Sequence, residues 1–307
     1  MPFSVNAELI DKWQRDEFAG VTLSCPEIAT CVRPGQFVNV TCQNVHERED
    51  FRPLCWAGNS SPTPEFDKKR MALLPRAFSV MDADVESGCI DLLFGMDGRG
   101  AQFLMSHAVG TKISVLGPIG NCFTEVEEYD TALLIAGGVG LAPMPFWAQK
   151  LAQRGHNVVV MVGARRIVDV PLQTCRSMEP IVLGAETAIA AFAQLDVPSG
   201  VSLDVSHDSF FTGTVVELAR KWMGDHPTAS PSVYACGPVP MLNAVAEFTA
   251  DYSLPCQLAM EERMACALGI CVGCPVKVRI EEEPGAFRYE LCCVAGPVFD
   301  GRVVMFK

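Results

Sequence analysis

Five cysteines near the carboxyl end of the chain carry the clearest chemical signal in the sequence. Cys266, Cys271 and Cys274 follow a Cys-x4-Cys-x2-Cys spacing, and the adjacent Cys292 and Cys293 come after an acidic stretch. Three cysteines at this spacing, with a fourth farther along, are typical of a loop that binds a [2Fe–2S] cluster through four thiolates. Such a loop must bring its backbone close to the cluster, which small residues permit. The small residues of this segment are Ala265, Ala267, Gly269 and Gly273.

Two other interpretations of these cysteines stay open. A structural zinc site favours paired Cys-x2-Cys motifs, and Cys271 with Cys274 forms only one such pair. The cysteines could also be unligated. Adjacent residues of an extended segment point in opposite directions, so only one of Cys292 and Cys293 faces the loop. The spacing alone does not decide which of the two is the fourth ligand.

Two glycine-containing turns indicate a nucleotide site. The turn Gly137-Gly138-Val139-Gly140-Leu141-Ala142-Pro143 follows the apolar strand Thr131–Ala136 and opens a helix, where a helix N-terminus can receive a phosphate. A second turn, Cys236-Gly237-Pro238, follows the strand Ser232–Ala235. Two such turns at the carboxyl edge of one sheet would flank a nucleotide crevice. The alternative is purely structural, because tight turns between strand and helix favour glycine without any ligand.

A third candidate site is the segment Arg76-Ala77-Phe78-Ser79. Its guanidinium could hold a phosphate, its ring could face an isoalloxazine, and its hydroxyl could bond to a flavin. The alternative is an exposed arginine beside a core phenylalanine. The histidines are scattered, and we identify no general acid or base, so no catalytic residue is predicted.

The elements that must position these residues fall into three parts. Short strands predicted at Gly20–Cys25, Gln36–Cys42, Ala77–Asp82, Ile90–Met96 and Lys112–Leu116 indicate a small antiparallel barrel. From Thr131, apolar strands alternate with helical patterns near Thr187–Leu195, Gly213–Met223 and Val239–Asp251, which indicates a doubly wound parallel sheet. We therefore predict an α+β multidomain fold with a flavin barrel at 1–127, a nucleotide domain at 128–252 and a cluster-binding subdomain at 253–307. The segment Asn44–Pro75 is predicted to be an insertion or long loop.

Composition narrows the function classes. The chain has 307 residues with a formal net charge of −12, which argues against binding nucleic acid through its phosphates. The hydrophobic content of 49% is enough for packed cores. Neither a secretory signal nor an apolar run of membrane-spanning length is predicted. Fourteen cysteines in such a chain favour a reduced, cytoplasmic protein with a metal site.

Taken in order, these motifs resemble the electron-transfer subunit of class 1B dihydroorotate dehydrogenase, within the ferredoxin–NADP reductase superfamily. The flavin motif Arg-Pro-x-Ser of that family corresponds to Arg76-Ala77-Phe78-Ser79, and later flavin segments correspond to Leu93-Phe94-Gly95 and Gly100-Ala101. Ala77, Gly95 and Ala101 replace the Pro, Arg and Thr usual there. The block Tyr-x-Cys-Gly-Pro-x-x-Met-Leu runs from Tyr234 to Leu242 and adds Met241 to the nucleotide site. In the family the fourth cluster ligand lies three residues before Gly296-Pro297-Val298-Phe299, which selects Cys293.

The resemblance implies FAD, NAD(H) and a [2Fe–2S] cluster as cofactors and a catalytic partner subunit in a hetero-oligomer. Electrons would pass between NAD(H) and a dihydroorotate dehydrogenase of pyrimidine biosynthesis. One alternative is the diaphorase subunit of another complex, such as an NADH-dependent ferredoxin:NADP oxidoreductase or a sulfide dehydrogenase. Another is a non-catalytic iron–sulfur redox sensor.

Overall fold

The computed structural model describes residues 2–42, 74–126, 128–129, 131–280, 283 and 285–306. Almost all of the predicted insertion at Asn44–Pro75 lies outside these residues. None of the helices described is long and apolar enough to cross a membrane.

The amino-terminal part is a closed six-stranded barrel, as predicted. Its strands follow the order β1-β2-β5-β4-β3-β6, and every neighbouring pair is antiparallel. Alternate residues such as Leu9, Val38 and Leu92 point inward and are fully buried, whereas the other side of each strand faces outward. The strands are β1 Phe3–Arg15, β2 Phe18–Ser24, β3 Phe37–Val40, β4 Arg76–Asp84, β5 Cys89–Gly95 and β6 Lys112–Ile119.

Two short helices accompany the barrel. Helix α1, Pro26–Ala29, packs beside β5, and helix α2, Arg99–Ser106, follows that strand. Leu104 of α2 is fully buried in the barrel core, and the packing of Gly100 against Arg76 holds the start of this helix beside β4. The predicted barrel strands match five of these six; β1 was not predicted, because most of its side chains are exposed or half-buried and its sequence lacks a continuous apolar run.

The second part is a seven-stranded sheet with the order β12-β11-β8-β7-β13-β14-β17. All neighbouring strands are parallel except β14 and β17. The central strand β7 alternates between two cores, because Leu133 packs with the α5–α6 side and Leu134 packs with the α3 side. Helices therefore cover both faces, which confirms the doubly wound arrangement.

The bounds of the remaining elements are as follows. The strands are β7 Thr131–Gly137, β8 Asn157–Ala164, β9 Thr174–Arg176, β10 Thr187–Ile189, β11 Ser199–Leu203, β12 Phe211–Thr212, β13 Ser232–Cys236, β14 Cys256–Ala259, β15 Pro275–Arg279, β16 Phe287–Leu291 and β17 Val298–Asp300. The helices are α3 Met144–Gln153, α4 Ala190–Ala193, α5 Val215–Asp225, α6 Val239–Asp251 and α7 Cys292–Ala295, with 3-10 turns at Gly138–Leu141 and Ile167–Asp169. The helical prediction near Thr187–Leu195 was wrong at its start, where β10 pairs with β9.

The carboxyl-terminal part leaves the sheet and returns to it. β14 ends at Ala259, the cysteine-containing loop and the β15–β16 hairpin follow, and β17 then pairs with β14. Two strands of the predicted 253–307 unit thus belong to the seven-stranded sheet. The exact division of the chain into three units stays a prediction.

Candidate functional site

A cleft of about 400 Å³ lies where the barrel, the sheet and the cysteine-containing tail meet. Each of the three parts contributes residues to its walls. The predicted site residues that line it are Ala77, Phe78, Ser79, Leu93, Phe94, Gly95, Val139, Pro143 and Cys236. The structure therefore brings two of the predicted flavin segments and part of each predicted nucleotide turn to one place, whereas Arg76, Gly100 and Ala101 do not line this cleft.

The barrel wall of the cleft is built by β4 and β5. The Phe78 and Phe94 rings lie 5.0 Å apart between centroids at a tilt of 56°, and Ser79 pairs in register with Phe37 of β3. Phe37 also lines the cleft, although it was not predicted as a site residue. Both rings belong to the buried core of the barrel, and the half-buried Ser79 faces the opposite side of β4 from Phe78.

The segments around Arg76 and Gly100 are packed against each other. A Cβ at Gly100 would lie 2.5 Å from Arg76 Cγ, so only glycine lets the arginine stem rest on the first turn of α2. Arg76 Nη1 donates to the carbonyl of Leu74 at 2.7 Å. Gly100 and Ala101 are buried in that first turn, which has no side-chain cap on its backbone N–H groups. An arginine beside free N–H groups at a helix start fits an anionic group such as a phosphate.

The two glycine-containing turns lie side by side at the carboxyl edge of the sheet. Ala136 of β7 is in register with Cys236 of β13, so both strands end at the same level. A Cβ at Gly140 would lie 2.5 Å from the Gly237 nitrogen, and a Cβ at Gly137 would lie 2.7 Å from Met241 Sδ. Close packing of the two turns thus requires glycine.

The remaining predicted residues of these turns flank the same contact. Gly138 has a φ of +54° and Gly237 a φ of +155°, both in the region that favours glycine. Ala142 is buried at the C-cap of the 3-10 turn, just before Pro143, and Pro238 is the N-cap of α6. The fold therefore places the predicted residues of both turns at the ends of β7 and β13.

Residues of the tail form the third wall of the cleft. Glu261 and Glu262 line it together with Met260, Arg263 and Met264. These residues were not among the predicted site residues. Their one visible signal was their place just before the cysteine motif. Their position follows from β14, which ends at Ala259 beside the Cys236 turn.

Cys236 and Glu261 are close neighbours across the cleft. Cys236 Sγ lies 4.0 Å from Glu261 Oε1. Burial raises the pKa of the Cys236 thiol well above its ordinary value, and the nearby Glu261 carboxyl raises it further. Glu261 remains open to solvent in the cleft, yet the protein surrounds its carboxyl enough that desolvation raises its pKa. At neutral pH the thiol is thus an uncharged group on the cleft wall.

Backbone N–H groups of the cysteine loop point at the thiols. The N–H groups of Leu268 and Cys271 donate to Cys266 Sγ at 3.4 and 3.3 Å, and the Gly269 N–H donates to Cys293 Sγ at 3.2 Å. Gly269 has a positive φ, as do Ala267 and Val272, which folds the loop around the sulfurs. The backbone N–H bonds lower the pKa of Cys266 to about 6. This loop therefore favours thiolate at that position.

The four predicted cluster ligands lie in two pairs. Cys266 Sγ and Cys271 Sγ are 3.2 Å apart, and the Cys274 thiol is close enough to Cys293 to contribute to the raised pKa of that residue. Burial raises the pKa of Cys293 to about 11. Among the described residues, no three or more histidine, cysteine or carboxylate side chains converge on one point as the ligands of a single ion would.

The adjacent Cys292 points elsewhere. Its thiol faces the carbonyl oxygen of Met260 at 3.6 Å, and its side chain is fully buried. Burial raises the pKa of this thiol. The two neighbours therefore diverge as predicted, with Cys293 toward the loop, but they do so at the start of helix α7 and not in an extended segment.

The fold and site define the class of the protein. A barrel and a doubly wound sheet that share a cleft form the fold of the ferredoxin reductases. The chain is similar to the solved structure of an NADH-dependent reduced ferredoxin–NADP oxidoreductase, with a TM-score of 0.72 and 22% identity over 98% of this chain and 90% of that one. It also resembles the ferredoxin reductase of carbazole 1,9a-dioxygenase, with a TM-score of 0.57 and 17% identity over 82% of this chain and 67% of that one.

The sequence comparisons identify the family. A family model for the iron–sulfur cluster binding domain of dihydroorotate dehydrogenase B matches residues 261–305. The chain is 32% identical over 289 residues to the dihydroorotate dehydrogenase B (NAD(+)) electron transfer subunit of Geobacillus kaustophilus, covering 93% of this chain and 92% of that protein. The subunit of the same name from Desulforamulus reducens is 28% identical over 282 residues, covering 92% and 90%. The chain belongs to this family of electron transfer subunits, which confirms the resemblance.

Proposed function

We propose that the chain carries electrons between NAD(H) and a catalytic partner subunit through FAD and a [2Fe–2S] cluster. The observation that carries this proposal is the single cleft in which the flavin segments, the nucleotide turns and the start of the cysteine loop meet. The relatives are named as NAD(+)-linked electron transfer subunits, which supports the same conclusion. We assign FAD binding to residues 1–127, NAD(H) binding to residues 128–252 and cluster binding to residues 253–307.

FAD would bind on the barrel side of the cleft. Ser79 and the segment Leu93–Gly95 would lie beside the isoalloxazine, with Phe78 behind them in the barrel core, since all of them line the cleft. Arg76 and the open first turn of α2, with Gly100 and Ala101, would hold the phosphates. Gly100 leaves room for the Arg76 side chain beside this turn, so the residues present fit the phosphates of FAD.

NAD(H) would bind on the two turns at the carboxyl edge of the sheet. The turn Gly137–Pro143 would receive the phosphates, and Cys236, Gly237 and Pro238 would line the nicotinamide side, packed against Met241. Cys236 stands on the cleft wall opposite the flavin segments. Its thiol stays neutral, so it adds no fixed charge beside the nicotinamide in either oxidation state.

The cluster would bind to Cys266, Cys271, Cys274 and Cys293. A two-iron cluster takes four thiolates, and the two thiol pairs of the structure provide two for each iron. The N–H groups aimed at Cys266 and Cys293 would stabilise the negative charge on the sulfurs. When bound, FAD exchanges a hydride with the nicotinamide and single electrons with the cluster.

The partner would dock over the exposed loop that carries Cys271. Leu268, Ile270 and Val272 of this loop are 47%, 78% and 64% exposed, which is unusual for three large apolar residues so close together. A partner here would lie near the cluster, and the assembly would be a hetero-oligomer. We place the protein in the cytoplasm, because all cysteines that the structure describes are free thiols.

The substitution Cys271→Ser tests the proposal. It should abolish cluster absorbance while NADH-driven dye reduction through the flavin stays largely intact, because the flavin and nucleotide walls do not contain this residue. Cys31→Ser, at another exposed cysteine on the barrel, should change neither signal. Wild-type protein with a cluster spectrum but no flavin and no NADH-driven dye reduction would contradict electron transfer and favour a redox sensor.

A further inference from the structure

Asn39 is a polar residue in an otherwise apolar contact between the barrel and the cysteine loop. It lies on the outward face of β3, and its side chain is only 4% exposed. Its cross-strand neighbours are Ala77 of β4 and Leu116 of β6. Both neighbours pack against a core that also contains Cys274 and Cys293. Ala77 in addition lines the cleft, so Asn39 stands between the flavin segment and the cluster ligands.

The Asn39 amide faces the main chain of the first cluster ligand. Its Nδ2 lies 3.4 Å from the carbonyl oxygen of Cys266 and 3.5 Å from that of Ala265. Because both groups are acceptors, the amide must present its NH2 to them. Its Oδ1 is buried and has no hydrogen-bond donor within the described residues.

Among the described residues the barrel has one other buried side-chain amide, Gln36, and its polar atoms are hydrogen-bonded. Gln36 accepts the Arg33 N–H at 2.9 Å and donates to the Gly120 carbonyl at 2.7 Å. Asn39 in contrast makes only long bonds and leaves one polar atom unpaired, so a leucine of similar size would suit a purely structural contact better. A buried polar group that does not serve stability well calls for another explanation.

We propose that Asn39 is a positioning residue for electron transfer between the flavin and the cluster. Its amide holds the main chain of Cys266 against the strand next to the flavin segment. The positive end of its NH2 dipole, directed at the ligand residue, also stabilises the negative charge that the cluster gains on reduction. The step moves one electron, and no bond or proton at Asn39 changes. This inference rests on the proposed function.

The test is a redox titration of the purified holoprotein with two variants. Asn39→Leu removes the dipole, and Asn39→Asp keeps the shape but removes both N–H donors. In each variant we expect the equilibrium between flavin and cluster to shift about tenfold against the reduced cluster, which is 59 mV for one electron. Stopped-flow reduction of the flavin by NADH should keep the wild-type rate, because the nucleotide turns are untouched.

Gln36→Leu is the matched control, since it removes a buried amide that does not contact the tail. It should lower the melting temperature and leave the cluster potential unchanged. Wild-type potentials in both Asn39 variants, with only a lower melting temperature, would overturn the proposal. Loss of the cluster with retention of flavin in Asn39→Leu would support the holding role, and Asn39→Asp then carries the potential measurement. Wild-type protein without a cluster would contradict the proposed function itself.

Discussion

The contact between the two nucleotide turns leads to a specific prediction for the addition of one methyl group at Gly140. Gly140→Ala would place a Cβ 2.5 Å from the Gly237 nitrogen, with the Cys236 carbonyl group also in the way. Non-bonded heavy atoms prefer separations of about 3.5 Å, so one turn must move by roughly 1 Å. The obstacle is backbone on both sides, and no flexible side chain can give way.

The expected losses of stability and of activity follow from that displacement. Overpacking of this kind costs about 1–3 kcal/mol, so we expect the free energy of unfolding to fall by about 2 kcal/mol. In a cooperative unit of about 200 residues this lowers the melting temperature by roughly 4–8 °C. Because a shift of about 1 Å in a reacting geometry can cost up to 100-fold in rate, kcat/KM for NADH-driven dye reduction should fall about 10- to 100-fold.

Gly155→Ala separates displacement from simple destabilisation. Gly155 has a φ of +86° after α3, with open space around it. Alanine there costs roughly 1–2 kcal/mol of backbone strain but moves neither turn. We expect a lower melting temperature with an unchanged kcat/KM for NADH. A wild-type kcat/KM in Gly140→Ala, or an equal loss in both variants, would refute the packing argument.

Three further predictions concern the tail. Cys292→Ala should retain the visible cluster spectrum, whereas Cys293→Ala should lose it, because only Cys293 faces the loop; equal spectra would reject Cys293 as the ligand. Desolvation raises the pKa of Glu261, so its ionisation destabilises the fold as the pH rises. Glu261→Gln should therefore raise the melting temperature at neutral pH, and the difference should vanish toward the ordinary glutamate value of 4.5; a gain that persists in acid would contradict this. Ile270→Asp should weaken association with the catalytic partner in a pull-down, whereas Leu183→Asp, at an 86% exposed site on the sheet domain, should not.

The sequence predicted the parts of the fold in which local pattern and packing agree. Helix α6 has the predicted bounds, Val239–Asp251, because its apolar positions and the preceding Gly-Pro turn both define them. Strand β7 was visible because a central parallel strand is apolar on both faces. The two turns could be placed side by side because the carboxyl ends of parallel strands share one edge.

The remaining features depend on contacts between distant segments. β17 has only three residues and becomes a strand because β14 offers it a free edge. Asn39 lies in a strand of apolar neighbours, and nothing in its own segment says that the outward face of β3 is covered by the cysteine loop. Glu261 has no distinguishing signal in its own segment, and only the end of β14 places it on the cleft wall.

The same sheet edge fixes the positions of all three proposed cofactor sites. Cys236 is in register with Ala259, so the nucleotide turn and the cysteine loop leave neighbouring strands at the same level. The barrel is attached to that edge as well, because Asn121 accepts the Val298 N–H at 2.9 Å and donates to the Val298 carbonyl at 2.7 Å. The distances between the sites are therefore set by the backbone hydrogen bonds of one sheet and by the side chain of Asn121, which is hydrogen-bonded to Val298. Electron transfer needs fixed distances between cofactors, and the two tail strands that belong to the seven-stranded sheet would hold the proposed sites at such distances.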